Sequence, residues 1–298
     1  MKIAITGASG LIGSALASSL LADGHQVLRL VRRPTTAPDE VTWDPMVGAV
    51  DLDRLAGIDA LVHLAGVGVG DRRWTAAHKR EIRDSRVVGT TTIATALAAL
   101  DPLPQAFVCG SAIGYYGDTG DTVTTEADPA GEGFLADVVQ AWEAASRPAG
   151  DAGIRVTHAR TGLVVAGKGG AWGRLWPLFK LGVGGKLGSG DQWWSWISLR
   201  DEVRALRRLV DDPAMTGAYN LTAPQPATNE EITHAMGELL HRPTVFSVPS
   251  FALKLALGEM SSEVLGSARI EPARLLAAGF SFKDPTIDAA LATALATD

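Results

Sequence analysis

Residues 2–33 read KIAITGASGLIGSALASSLLADGHQVLRLVRR, and this stretch decides the fold. Lys2–Thr6 is a short run with β-branched residues, as a strand requires. Leu11–Ala22 has helix-like apolar spacing and stops ahead of Gly24, a natural C-terminal break. Gln26–Val31 is a second strand-like run that ends in Arg32, Arg33 and Pro34. Strand, glycine turn, helix and strand thus fit within about 30 residues, the length of one βαβ unit. Gly7, Gly10 and Gly13 lie between the first strand and the helix. The first permits a tight turn, the second lets backbone amides approach a pyrophosphate, and the third lets helix and strand pack closely. The helix N-terminus then faces the phosphate charge. The spacing predicts a dinucleotide site built from Gly7, Ser9, Gly10, Leu11, Ile12 and Gly13; a turn whose glycines merely relieve strain is the alternative.

An NAD site places a carboxylate at the end of the second strand, about 20 residues past the glycines, to accept from the ribose 2′-hydroxyl. Here that place reads Val31-Arg32-Arg33. A planar, permanently charged guanidinium suits a 2′-phosphate instead. The expected cofactor is therefore NADP(H), with Arg32 as the lead contact, against the alternative of a solvated pair of loop charges.

The alternation continues outward. Strands are predicted over 60–65, 106–112 and 154–160, and helices over 75–100 and 134–149, so a parallel sheet covered on both faces is expected. Beyond Gly162 the stretch 166–196, AGKGGAWGRLWPLFKLGVGGKLGSGDQWWSW, is rich in glycine and holds five of the eight tryptophans. The segments 196–199, 201–211 and 218–222 return to the α/β pattern. Thr228 and Glu231 form a capping box ahead of an amphipathic helix over 228–241, and 248–298 is mostly helical in pattern. The expected class is α/β: a Rossmann-like doubly wound parallel sheet from 1–163 together with 196–222, and a smaller, mostly helical substrate-side lobe from 164–195 and 223–298.

Composition agrees with a folded, ligand-handling protein. The chain has 298 residues, 46% hydrophobic and 20% charged, which excludes disordered and collagen-like classes. No apolar run approaches the roughly 18 residues needed to span a bilayer, and the N-terminus shows no cleavage-site pattern, so a cytoplasmic location is expected. The single cysteine, Cys109, rules out an internal disulfide framework and a cysteine-based zinc cage; it is expected to be an inert core residue. A net charge of −6 argues against general nucleic-acid or anionic-membrane binding. The six histidines are scattered without paired spacing, so no metal site is expected. The absence of a GxSxG elbow disfavours a hydrolase.

TGASGLIG at 6–13, VHLAG at 62–66, SAIGYYG at 111–117, RTG at 160–162, SWISLRDEV at 195–203 and YNLTAP at 219–224 occur in the order seen in extended short-chain dehydrogenases/reductases, which the chain resembles over nearly its whole length. RRWT at 72–75, SR at 85–86, WEAA at 142–145, LGEM at 257–260 and PARLLAAGFSF at 272–282 are similar to the atypical "epimerase family protein" subfamily with its own C-terminal extension, related to the giant-chloroplast division factor. The resemblance implies NADP binding, with His63, Leu64, Ala65 and Gly66 closing over the adenosine and ribose side. It places the segment after Ala112 beside the nicotinamide, and a nucleotide sugar or similar small substrate between the sheet and the smaller lobe.

It also exposes a departure. The superfamily's chemistry uses a Ser, a Tyr and a Lys four residues after the Tyr, one helical turn apart. The corresponding helix reads FLADVVQAWEAA, with Leu135 and Val139 at the Tyr and Lys positions, and neither moves a proton. Ser111 is the candidate hydroxyl, although it lies one residue early, where Ala112 falls in the usual register. Tyr115 and Tyr116 are the candidate phenols, Tyr115 the better, with wall packing as the alternative. Two functions follow: an NADP-dependent oxidoreductase or epimerase, or a non-catalytic NADP(H)-binding regulator or scaffold, for example in cell division. Trp194 is a candidate for stacking on a substrate, because three aromatics in a row of four cannot all face one core from a strand. Arg160 at a strand end is a candidate for a substrate phosphate, with a surface ion pair as the alternative. Lys79 is a candidate cofactor contact within a basic run, Arg72 to Arg86, that otherwise reads as a solvated helix face.

Overall fold

The computed structural model describes residues 1–296. Eight strands build the main sheet: β1 (Lys2–Thr6), β2 (Gln26–Val31), β3 (Glu40–Asp44), β4 (Ala49–Val50), β5 (Ala60–His63), β6 (Ala106–Ala112), β7 (Arg155–Thr161) and β8 (Gly217–Leu221). Their spatial order is β8-β7-β6-β5-β1-β2-β3-β4, and every neighbouring pair is parallel except β3 and β4. The chain starts in the middle, winds out through β2 and β3, then crosses back to β5 on the other side of β1. The order therefore reverses between β1 and β5, and a crevice opens beyond the C-terminal ends of those strands.

Alternation along β1 explains the layering. Ile3 and Ile5 point to one face, where they join Leu16 and Leu20 of helix α1 (Leu11–Ala22). Ala4 points to the other, where Ile93 and Leu97 of helix α2 (Ala76–Ala98) and Trp142 of helix α3 (Phe134–Ala144) pack. Helix α4 (Leu199–Asp211) adds Leu206 and Leu209 to the first face. Each such fully buried aliphatic side chain contributes about 1.5–3 kcal/mol. A third core lies in the smaller lobe, where Trp172, Trp176, Phe179 and Trp196 meet Ile232, Met236 and Leu291. The helix Asn229–Leu240 of that lobe starts with the capping box expected at Thr228 and Glu231. The tail is fixed to the sheet domain through α4: Asp201, fully buried, accepts from the Lys283 and Asp284 amides, while Ser198 donates to Asp284 at 2.7 Å.

Three features differ from the sequence reading. The helix expected over 134–149 ends at Ala144, and a separate turn, Arg147–Asp151, follows; Pro148 in its first turn has no amide hydrogen with which to continue a helical ladder. The β3–β4 hairpin extends the sheet at an edge where no strand was expected. Gly217–Leu221 joins the main sheet, but Trp196–Ser198 pairs in parallel with Leu163–Val165 in a separate ribbon. The switch of partner happens at Gly162, where a Cβ would lie 2.6 Å from the Ser195 carbonyl oxygen, so only glycine lets the chains approach.

Candidate functional site

The crevice at the switch point is a cleft of about 1220 Å³, lined among others by Gly7 to Gly10, Arg32, Leu64, Ala65, Gly66 and Val67. Its floor is the glycine turn. Gly7 has φ +69°, and a Cβ there would lie 2.9 Å from the Ala65 nitrogen. At Gly13 a Cβ would lie 2.2 Å from the Gly7 carbonyl oxygen. Gly10 caps α1 with extended backbone and no side-chain cap, and the first turn carries no acid. The first amides of α1 and the positive end of its dipole are thus available to an anion. Ser9 and Gly10 line the cleft, whereas Ile12 packs into the first core and Leu11 lies against Gly169 and Gly170 of the smaller lobe.

At the far end of the cleft the charges pair off, with one exception. Arg29 bonds Asp39 at 2.7 Å, and Arg33 holds Glu40 by two bonds of 2.6 and 2.9 Å. Those bonds from Arg33, together with the Thr36 amide, pull the Glu40 pKa down to about 2. Arg32 has no hydrogen bond or ion pair among the described residues, which leaves its charge unmatched at the cleft edge.

His63 stands differently from the expectation. It is fully buried beneath the wall that its neighbours Leu64, Ala65 and Gly66 form. Thr6 Oγ1 accepts from the Leu64 and Ala65 amides at 3.0 and 3.1 Å, so its own hydrogen goes to His63 Nδ1, 2.7 Å away. The ring proton therefore sits on Nε2, which has no partner. Burial, reinforced by the charge of Arg86, drops the His63 pKa to about 3, so the ring is neutral and acts as a brace for the two strand ends. Lys79 also faces elsewhere: its ammonium bonds Glu259 at 2.8 Å and lies 4.7 Å from the centre of the Phe134 ring, outside the cleft lining.

Beyond the cleft, three parallel strand ends place Ser111 of β6, Arg160 of β7 and Asn220 of β8 in one row. Glu143 of α3 reaches into that row. Arg160 grips it with two bonds of 2.8 and 2.9 Å, and Ser111 Oγ donates to it at 2.7 Å. Arg160 also donates to the Tyr116 hydroxyl at 2.9 Å, and Tyr116 donates to Asn220 at 2.8 Å. The Arg160 and Glu143 side chains are only 6% and 13% exposed. Burial opposes both charges, yet each stabilises the other: Arg160 is raised above its ordinary value and Glu143 falls below its own. Burial also outweighs Arg160 at Tyr116 and pushes that phenol up. Arg160 is thus committed to an internal pair, and Ser111 and Tyr116 have their hydrogens committed too. Tyr115 does not: its ring stacks on Arg160, 3.4 Å from guanidinium carbon to ring centre, and its hydroxyl has no partner among the described residues.

Three participants escaped the sequence reading. Glu143 follows Val139 by one helical turn on the inward face of α3, an acid on an apolar stripe. Asn220 could not be singled out before its strand was placed opposite Arg160. Arg86 falls on the inward stripe Ile82, Gly89, Ile93 and Leu97 of α2, and it is half-buried where a solvated face was expected. Trp194 is half-buried and packs partly on the third core, in a strand paired with Ala227–Thr228.

Residues 3–222 match the NAD dependent epimerase/dehydratase family, and 248–294 match a domain of unknown function, DUF1731. The chain belongs to the NAD dependent epimerase/dehydratase family. An epimerase family protein of Mycobacterium leprae is 46% identical over 293 residues, 98% of this chain and 95% of that one. The crystal structure of human epimerase family protein SDR39U1 (isoform 2) with NADPH superimposes with a TM-score of 0.93 at 32% identity, over 100% of both chains. A nucleoside-diphosphate sugar epimerase from Corynebacterium glutamicum gives 0.82 at 36% identity, over 100% of this chain and 59% of that one. Within this epimerase family the chain is an extended short-chain dehydrogenase/reductase, and its α3 carries the apolar Leu135 and Val139, the two residues that the sequence reading set at the Tyr and Lys positions. Leu135 packs with Trp74 and Ile82, and Val139 is buried. No helix among the described residues is long and apolar enough to cross a membrane. No group of three or more His, Cys, Asp or Glu among them is placed to hold a metal ion.

Proposed function

We propose that the chain binds NADP(H) in the switch-point cleft and acts as an epimerase-family oxidoreductase on a small nucleotide-sugar or carbonyl substrate brought against Tyr115. The observation that carries the cofactor reading is the pairing of a side-chain-free glycine cradle with an unmatched cation, Arg32, at the end of β2 in the same cleft. Glu40, a carboxylate in the cleft lining, is neutralised by Arg33, so the adenosine end offers charge to a 2′-phosphate rather than an acceptor to a 2′-hydroxyl. The human relative crystallised with NADPH supports the same cofactor. When bound, the nicotinamide supplies two-electron oxidation or reduction at a carbon that bears oxygen. The chain's own contribution is proton handling at the Tyr115 hydroxyl, held against Arg160, because Ser111 and Tyr116 already donate to Glu143 and Asn220. The Corynebacterium relative, a nucleoside-diphosphate sugar epimerase, supports a nucleotide sugar as substrate class. The apolar Leu135 and Val139 favour a second reading, NADP(H) binding without turnover.

Thermal-shift titration with NADPH, NADP and NAD tests the cofactor. Stabilisation by the phosphorylated forms, lost in Arg32→Ala, is expected; equal response to NAD would refute the role of Arg32. Consumption of NADPH with nucleotide sugars and small carbonyls tests the chemistry. Turnover lost in Tyr115→Phe, with NADPH affinity retained, supports the enzyme reading; unchanged turnover removes Tyr115 from it, and no turnover with any substrate favours the second reading.

A further inference from the structure

RRWT at 72–75 and LGEM at 257–260, far apart in the chain, meet in the fold. Arg73 donates from Nη2 to the Leu255 carbonyl at 2.7 Å, and Lys79, one helical turn past Thr75, holds Glu259 at 2.8 Å. Gly258 turns between these two ties with φ +62°, the left-handed region that favours glycine, and a Cβ there would stand 3.5 Å from Arg73 Nη2. Met260, Val67 and Val69 pack together on the buried cluster of Trp74, Ile82 and Val138. Arg174 of the smaller lobe adds a bond of 2.6 Å to the Gly70 carbonyl.

What these contacts hold is the loop after β5, residues 66–74, of which Gly66, Val67, Gly68, Asp71 and Arg72 line the cleft. In the sheet β5 stands between β1 and β6, so the loop runs between the glycine turn and the strand that leads to Tyr115. Glycine at 66, 68 and 70 gives it little stiffness of its own. Its ends are fixed to the sheet domain, where the Val67 amide donates to Ser85 and Thr75 caps α2. Its middle is tied to the lobe through Gly70 and Arg73. The ties lie near solvent: the Lys79 and Glu259 side chains are 31% and 65% exposed, so the pair is weak and opens without unfolding the protein. Loops that close on a bound molecule and open to release it need contacts of this strength. The apolar part of the contact also reaches the candidate site. Leu135 of α3 packs on the same cluster, and a Cβ at Gly114, beside Tyr115, would stand 3.3 Å from Leu135 Cβ.

We propose that segment 255–260 of the C-terminal extension is a latch that holds the 66–74 loop against the cleft and so sets the rate at which NADP(H) leaves. The inference rests on the NADP(H) reading, and two ligands separate the two ideas. NADPH extends past the loop toward Tyr115, whereas adenosine 2′,5′-bisphosphate carries only the half that Arg32 would meet. Release of NADPH is followed by its fluorescence in stopped flow during a chase with excess NADP. The proteins compared are wild type, Glu259→Gln, Glu259→Lys, Lys79→Glu and the exchanged pair, Lys79→Glu with Glu259→Lys. Glu259→Gln, a mild change at an exposed side chain, is expected to speed release by about 2- to 5-fold, and each single charge reversal by about 5- to 20-fold. The exchanged pair rebuilds the bond and should return to within about 2-fold of wild type. Calorimetric affinity for the bisphosphate should stay at the wild-type value throughout. A direct contact from Lys79 to the cofactor, or a general loss of structure, is not rescued by the exchange. Release at the wild-type rate in the single reversals, an exchanged pair as fast as either of them, or parallel weakening of the bisphosphate overturns the inference and leaves the cofactor reading standing. A wild type that binds neither ligand overturns both.

Discussion

Glu202 on α4 makes the fold's pH dependence calculable. It is fully buried; Oε1 accepts from Thr161 at 2.8 Å, and Oε2 has no partner. Burial pushes its pKa from 4.5 up to about 8, so the folded protein carries it protonated at neutral pH. The unfolded chain ionises it near its ordinary value. Between those two pKa values the unfolded state binds fewer protons than the folded one, and stability falls as pH rises. Below the window both states are protonated, and above it both are ionised, so the slope vanishes at either end. At about 1.36 kcal/mol per pKa unit, crossing the whole window removes about 3–5 kcal/mol. That is a large share of the roughly 5–15 kcal/mol typical of a folded protein. Glu202→Gln keeps the shape and an acceptor for Thr161 and abolishes the titration. Urea unfolding of both proteins at pH values across that window should show the variant's relative stability growing by about 3–5 kcal/mol from the acid to the basic end. A difference between the two proteins that stays constant with pH would refute the argument.

Glu143→Gln strands Arg160 in a buried site and should cost about 3–5 kcal/mol in chemical denaturation, while the double variant Glu143→Leu with Arg160→Met should regain most of that loss. Because the Glu143 pKa lies below its ordinary value, the pair's stabilisation is present above that ordinary value and is lost as pH falls through the depressed one, opposite in sign to Glu202. Gly13→Ala forces a methyl against the Gly7 carbonyl, backbone that cannot swing aside, and should destabilise by about 1–3 kcal/mol in thermal melts and weaken any ligand at the glycine turn.

Local physics made much of the molecule legible in the sequence. Glycine spacing, period-two and helical apolar patterns and the capping box act over a few residues, so β1, α1, β2 and the helix after Thr228 could be placed from the chain alone. That Leu135 and Val139 offer α3 no proton-moving group was legible too, because a side chain's lack of a functional group needs no three-dimensional context. Pro148, by contrast, was a readable helix break that the apolar pattern masked. What only the tertiary structure decided is who meets whom. Ser111, Glu143, Arg160 and Asn220 are dispersed along the chain and become neighbours through strand register, which places Arg160 opposite both Ser111 and Asn220. The same folding consumes the charge of Arg160 and Lys79 in pairs and leaves Arg32 and Arg86 without carboxylate partners. A residue type states which charge or proton a side chain can offer; burial and partners, set by contacts distant in sequence, decide whether that offer remains open to a ligand.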